Sequence, residues 1–130
     1  MDVNSWAADL RSSDDERCQQ ATNFLENCGP PPLSELATIA ALLTDSHPDV
    51  VYWGATLVGR LGAKAAPATS SLVAALEANV APHARERVVW ALGEIGPGAT
   101  AALPALRQAA QSDSPRLARL AQQAIQRIGA

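Results

Sequence analysis

Residues 84–96 read ARERVVWALGEIG, and the same pattern occurs at three other places in this chain of 130 residues. The other copies are RCQQATNFLENCG at 17–29, VVYWGATLVGRLG at 50–62 and LARLAQQAIQRIG at 117–129. All four close on a glycine, and these glycines are spaced 33, 34 and 33 residues apart. Four segments in register at such a period indicate a repeat protein.

Each thirteen-residue segment predicts a helix. Positions 1, 5, 8, 9 and 12 are mostly apolar or small, as Ala84, Val88 and Ile95 show in the third copy, and at 100° per residue they form one stripe. The closing glycine stands where a left-handed residue ends a helix. The expected starts are a capping box of Ser13 with Glu16, the prolines Pro48 and Pro82, and Ser114 before Pro115.

A shorter apolar pattern precedes each of these helices and predicts a first helix for every repeat. Its members are Val3, Trp6 and Leu10, then Leu36, Ile39, Leu42 and Leu43, then Leu72, Val73 and Leu76, then Leu103, Leu106 and Ala110. The repeats therefore run over about 2–29, 33–62, 66–96 and 100–129 of a single domain, 1–130. A helix pair of this length buries its apolar faces only by stacking on its neighbours, which predicts an all-α solenoid.

The copies resemble the short HEAT-like repeats of the phycobilisome-lyase-type family, whose second helix characteristically reads V-R-x-x-A-A-x-A-L-G-x-I-G. The segment RERVVWALGEIG (85–96) carries the likeness best, and 50–62 comes next. The resemblance implies a right-handed α-α superhelix of about four repeats. HEAT repeats commonly pair a turn aspartate with an arginine at position 2. Here the turn residues are Asp45, Asn79 and Asp113, but Arg85 is the one arginine at position 2, so an incomplete ladder is expected.

Composition and charge narrow the classes of function. The formal charge is −3, which disfavours a nucleic-acid-binding protein. Residues 1–50 carry −7 and residues 51–130 carry +4, an asymmetry that suits an acidic partner at the basic end, head-to-tail self-association, or two solvated ends. Cys18 and Cys28 lie about 15 Å apart in one predicted helix and cannot form a disulfide there. With no apolar leader or membrane-length run, we expect a cytoplasmic protein.

The chain offers few candidates for catalysis. His47 and His83 lie at equivalent turns without further ligands, which favours capping or solvent exposure over a metal site. Residues 14–16 are acidic, as the first turn of a helix favours. Nucleotide-binding and nucleophile motifs are missing. We therefore expect no enzyme, no cofactor and no metal.

A binding surface is expected on the second helices, which line the concave face of HEAT-like solenoids. Positions 3, 6, 7 and 10 point away from the apolar stripe, and we predict partner contacts at Tyr52, Thr56, Glu86, Val89, Trp90, Arg119 and Gln123. Two alternatives stay open here. Trp90 lies either exposed in this groove or packed on a neighbouring helix. Gly59 and Gly93, both at position 10, allow either close helix packing or a niche for a ligand.

The leading hypothesis is a module that binds a protein or peptide on its concave face and performs no catalysis. The family resemblance also implies an accessory role in bilin attachment as a lyase or chaperone. Arg107, Arg116, Arg119 and Arg127 at one end of the chain suggest a weak nucleic-acid-binding module as a third hypothesis. Homo-oligomers are compatible with all three, and the sequence identifies no partner.

Overall fold

The computed structural model describes residues 2–78 and 81–129, and this part of the chain contains eight α-helices and no strand. The first helices of the four pairs are α1 (Val3–Arg11), α3 (Leu36–Ala41), α5 (Thr69–Ala78) and α7 (Leu103–Ala109). The second helices are α2 (Asp15–Asn27), α4 (Pro48–Leu61), α6 (Pro82–Ile95) and α8 (Pro115–Ile128). The predicted order of helix, turn and helix is confirmed.

The repeat glycines end the second helices through their backbone conformation. Gly29, Gly62, Gly96 and Gly129 all have positive φ, at 68°, 61°, 75° and 95°. Gly62 and Gly96 combine this with ψ of −137° and −143°, close to a region that essentially glycine alone adopts. A side chain at these two positions would strain the chain where it leaves the helix, which explains why the second and third copies close on glycine.

Helix starts also follow the sequence, with one correction. Pro48, Pro82 and Pro115 open α4, α6 and α8, and Ser114 caps α8 through its hydroxyl. The predicted capping box of Ser13 with Glu16 is wrong. Asp14 is the cap of α2, and its carboxylate accepts a hydrogen bond from the Glu16 N–H at 2.9 Å. Aspartate is as good a cap as serine, so the start moves by one residue.

Short 3₁₀ segments connect consecutive repeats. They span Gly62–Ala68 before α5 and Gly96–Ala102 before α7, so the stretches that begin at these two repeat glycines have the same secondary structure. Two shorter 3₁₀ turns, Leu33–Glu35 and Leu42–Thr44, flank α3. The tighter turn continues the chain from one glycine into the next first helix without a loop.

The helices stack as an all-α solenoid. Each first helix packs on the second helix of its own repeat. The second helices α4, α6 and α8 pack side by side along the stack. The buried apolar residues form one continuous cluster that extends from Val3 to Ile128. Small residues at position 10, Gly59 and Gly93, lie where neighbouring second helices meet, and Glu26 and Gln126 occupy that position at the two ends.

The first repeat joins the stack mainly through α1, which packs against α4. Trp6 of α1 is 2% exposed, and together with Leu57 of α4 it lines a small cavity. Arg60 of α4 adds a polar link, because its Nη1 donates to the carbonyl of Leu25 at 2.7 Å. Packing of α1 and this charged hydrogen bond both join the first repeat to the rest of the stack.

An ion pair connects the first two turns of the solenoid. Arg11 Nε donates to Asp45 Oδ2 at 3.0 Å, and the backbone N–H of His47 donates to Asp45 Oδ1 at 2.8 Å. Partial burial alone would raise the pKa of Asp45, but both hydrogen bonds and the nearby positive charges outweigh it and lower the pKa below its ordinary value of 3.8. Asp45 is therefore held in its charged form.

The ladder typical of HEAT repeats takes a different form here. Arg85 Nε donates to the carbonyl of Leu76 in the preceding helix at 3.4 Å, so it caps its own first helix. The corresponding turn residue, Asn79, lies outside the described residues.

No helix within 2–78 or 81–129 is both long enough and apolar enough to cross a membrane.

Candidate functional site

Two adjoining cavities open between α6 and α8, and Trp90 and Leu120 line both of them. The first has a volume of about 520 Å³ and is also lined by Val89, Gly93, Glu94, Gln123, Ala124, Gln126 and Arg127. The second, of about 360 Å³, is also lined by Tyr52, His83, Glu86, Arg87 and Arg116. We refer to the two cavities together as the groove. Their sizes fall in the range of known ligand pockets.

Trp90 lies in the middle of the groove. Its ring packs on α4 at Gly59, where the lack of a side chain leaves room for it. A Cβ added at Gly59 would lie 2.8 Å from Cη2 and 2.9 Å from Cε3 of the indole ring, and nearer still to Cζ3. The ring therefore fills the space above this glycine. It is nevertheless half-buried and lines both cavities. Both alternatives for Trp90 hold together, since one part of the ring packs and another part lines the groove.

Arg87 lies between two aromatic rings. Its guanidinium carbon is 4.7 Å from the centre of the Tyr52 ring and 4.8 Å from the centre of the Trp90 ring. Its Nη2 also donates to the hydroxyl of Tyr52 at 2.7 Å. Cation–π contacts of this kind contribute about 0.5–2 kcal/mol each and hold the side chain in one orientation. A third ring, Trp53, meets Tyr52 edge-on with 5.1 Å between ring centres.

Ion pairs between neighbouring repeats border the groove. Arg116 Nε lies 2.7 Å from Glu86, and Arg127 Nη1 lies 2.6 Å from Glu94. His83 contacts Asp49 at 3.2 Å and stacks at a tilt on Tyr52. The paired residues are 30 to 34 positions apart in the sequence. Pairs between neighbouring second helices thus take the place of the aspartate–arginine ladder that HEAT repeats commonly form at their turns.

The structure brings together several of the predicted contact residues. Tyr52, Glu86, Trp90 and Gln123 all line the groove. Arg119 is exposed but lines neither cavity. It lies at position 3 of the last copy.

Thr56 and Val89 are corrections to the predicted surface. Thr56 is 4% exposed, and its hydroxyl donates to the carbonyl of Tyr52 at 2.8 Å. Val89 forms part of the cavity wall with no exposed surface of its own. In the two middle repeats positions 6 and 10 are buried, and so is Thr56 at position 7, because the next second helix packs along this flank, as Trp90 packs on Gly59. The niche suggested for Gly59 is therefore filled by packing.

Sequence reasoning missed the groove residues at positions 4 and 11. These are Arg87 and Leu120 at position 4 and Glu94 and Arg127 at position 11. The face opposite the core is exposed in a lone helix, but the neighbouring helix covers one flank of it in a stack. The last copy carries the signal that shows which flank. Gln122 and Gln126, both exposed, occupy positions 6 and 10, where the second copy has the buried residues Ala55 and Gly59.

The remaining polar groups offer little chemistry. Among residues 2–78 and 81–129, no three His, Cys, Asp or Glu side chains are close enough to hold a metal ion. His47 caps α4 through Nδ1, which accepts from the Asp49 N–H at 3.2 Å. Cys18 and Cys28 are both free thiols. Two arginines of the basic end, Arg116 and Arg127, are paired with glutamates, which partly neutralises that end.

Comparison with known proteins adds one finding. A family model described as HEAT repeats matches residues 35–126, which covers α3 to α7 and most of α8. The match does not distinguish the phycobilisome-lyase subtype from other HEAT repeats. No curated protein matches the chain, and no solved structure does.

Proposed function

The chain belongs to the HEAT repeat family, and from this we propose that it is a non-enzymatic module that binds a segment of another protein in the groove between α6 and α8. HEAT repeats commonly mediate protein–protein interaction. The observation that carries the proposal is the half-buried pair of Trp90 and Leu120, shared by two open cavities and bordered by ion pairs. An apolar centre with a polar rim is how protein interfaces are composed.

The dimensions of the groove suit an extended segment. Helix α6 has 14 residues and is about 21 Å long at 1.5 Å per residue. An extended chain spans that length with about six or seven residues. Together the two cavities offer room for several side chains on either side of Trp90, and the ordered rim reduces the side-chain entropy lost on binding.

Selection of binders from a displayed library of random dodecapeptides on the immobilised chain tests the proposal. Resynthesised peptides are titrated against the wild type, Leu120→Ala and Leu33→Ala. Leu33 is 53% exposed and lines neither cavity of the groove, so it is a matched control for truncation of an apolar side chain. We expect Leu120→Ala to weaken binding about tenfold, as for a residue at the centre of an interface, and Leu33→Ala to leave it unchanged.

Circular dichroism keeps the comparison valid by checking that each variant is folded. Failure to select any binder, or peptides that bind all three chains equally, would overturn the proposal.

The roles in bilin attachment and nucleic-acid binding stay predictions, and no contact in the groove favours either of them. A cytoplasmic location also stays a prediction.

A further inference from the structure

The charge of Arg87 lacks an anionic partner within the described part of the chain. The two nearest glutamates along α6 are engaged elsewhere, Glu86 with Arg116 at 2.7 Å and Glu94 with Arg127 at 2.6 Å. No carboxylate of the described residues forms an ion pair with Arg87. The side chain is half-buried, so its charge is partly removed from water without a compensating negative group.

The same guanidinium is already oriented for recognition. The rings of Tyr52 and Trp90 hold it at 4.7 and 4.8 Å, and the Tyr52 hydroxyl accepts one of its hydrogen bonds. A guanidinium has five N–H donors in a planar fork that fits a carboxylate with two parallel bonds. An arginine fixed by stacking loses little further entropy when it forms them.

We propose that Arg87 receives the carboxylate of an aspartate or glutamate side chain in the bound segment, and that an apolar residue next to it contacts Trp90 and Leu120. This inference rests on the proposed function of the groove and names the chemistry of its partner. The acidic and the apolar group would lie on neighbouring parts of one cavity, since Arg87, Trp90 and Leu120 all line the smaller of the two.

The charges around this cavity favour a single negative charge. Arg87 and Arg116 contribute two positive charges and Glu86 one negative charge, which leaves one positive charge to be matched. His83 is occupied with Asp49 at 3.2 Å. A carboxylate matches this excess, while a phosphate group with about two charges exceeds it. The groove also continues past Trp90 into the larger cavity, which suits an internal side chain better than a chain terminus.

The test uses the dodecapeptides selected on the wild-type chain. The best binder is resynthesised with its acidic residue changed to the matching amide or to phosphoserine, and with a free or an amidated C-terminus. Each peptide is titrated against the wild type, Arg87→Met, Arg87→Lys and Arg119→Met. Methionine keeps much of the apolar stem, lysine keeps the charge without the fork, and exposed Arg119 is the control outside both cavities.

We expect the selected peptides to share an acidic residue next to an apolar one. The amide peptide and Arg87→Met should each lower affinity about tenfold, and the two changes together should cost little more than either alone. Arg87→Lys should lose less affinity than Arg87→Met, and Arg119→Met should leave affinity unchanged. Amidation of the C-terminus should also leave affinity unchanged.

The outcomes separate the two proposals. Binding that depends on Leu120 but is indifferent to Arg87→Met and to the amide peptide would overturn the carboxylate and leave the groove standing. Tighter binding of phosphoserine, or loss of binding on amidation, would replace the carboxylate side chain by another anion. Binding that is indifferent to Leu120→Ala would overturn the groove and this inference with it.

Discussion

Gly59→Ala is expected to destabilise the fold because it forces a methyl group into the space of the Trp90 ring. The added Cβ would lie 2.8 and 2.9 Å from two ring carbons, whereas favourable contacts between carbons lie at about 3.5–4.0 Å. A Cβ is fixed by the backbone, and a tryptophan ring is rigid. The ring must therefore tilt out of its site or push α6 away from α4.

The magnitude follows from two opposing terms. Replacing glycine by alanine inside a helix stabilises by about 1 kcal/mol, while overpacking costs about 1–3 kcal/mol. We expect a net loss of about 1 kcal/mol in the free energy of unfolding. For a domain of this length that corresponds to a decrease of about 4 °C in Tm.

Gly54→Ala in the same helix is the matched control. Its added Cβ would meet Leu43 Cδ2 at 3.4 Å and the Ile39 carbonyl at 3.8 Å, which are ordinary contacts. The gain in helix propensity should therefore prevail, and the variant should be about 0.5–1 kcal/mol more stable than the wild type. The two alanine variants of α4 should differ by about 2 kcal/mol.

The assay is urea and thermal unfolding followed by circular dichroism, and it includes the double variant Gly59→Ala with Trp90→Ala. Once the ring is gone, the alanine at 59 should stabilise by about 1 kcal/mol, which gives a coupling energy of about 2 kcal/mol. The reasoning is refuted if Gly59→Ala is as stable as Gly54→Ala, or if its effect is the same with and without Trp90.

Two further predictions concern pH and backbone conformation. Because its pKa is lowered in the folded state, the Asp45 carboxylate stabilises the fold above its ordinary value of 3.8, and this contribution is lost as the pH falls through the lowered pKa. The unfolding free energies of the wild type and Asp45→Asn should thus differ by no more than about 1 kcal/mol at neutral pH, and converge in urea titrations as the pH falls below 3.8 and through the lowered pKa. A constant difference would contradict the role of the pair with Arg11. Gly96→Ala, at φ 75° and ψ −143°, should cost about 1–3 kcal/mol in thermal unfolding, while Gly129→Ala, at φ 95° with open space around it, should cost less. Equal costs would show that the backbone at Gly96 is not the determinant.

The repeat, the helices and their ends were predictable because they depend on neighbours in the chain. An apolar stripe at 3.6 residues per turn and a glycine with positive φ are local properties, and four copies in register repeat them. The error at the start of α2 was of the same local kind, since Asp14 and Ser13 are adjacent and both cap well. The sequence likewise placed Trp90 off the apolar stripe of α6, but it left open whether the ring is exposed or packs on a neighbouring helix.

The groove itself was decided by tertiary structure. The flank of a second helix that becomes buried depends on how closely the next second helix approaches. Gly59 allows a close approach of the Trp90 ring, which is 31 residues away in the sequence. Arg87 is held by Tyr52, 35 residues earlier in the chain, a contact that neither segment indicates alone. The sequence by itself determined the stack of helix pairs. Only the packing between repeats buried Thr56 and Val89 and placed Arg87 against Tyr52, because side chains distant in the chain share one surface there.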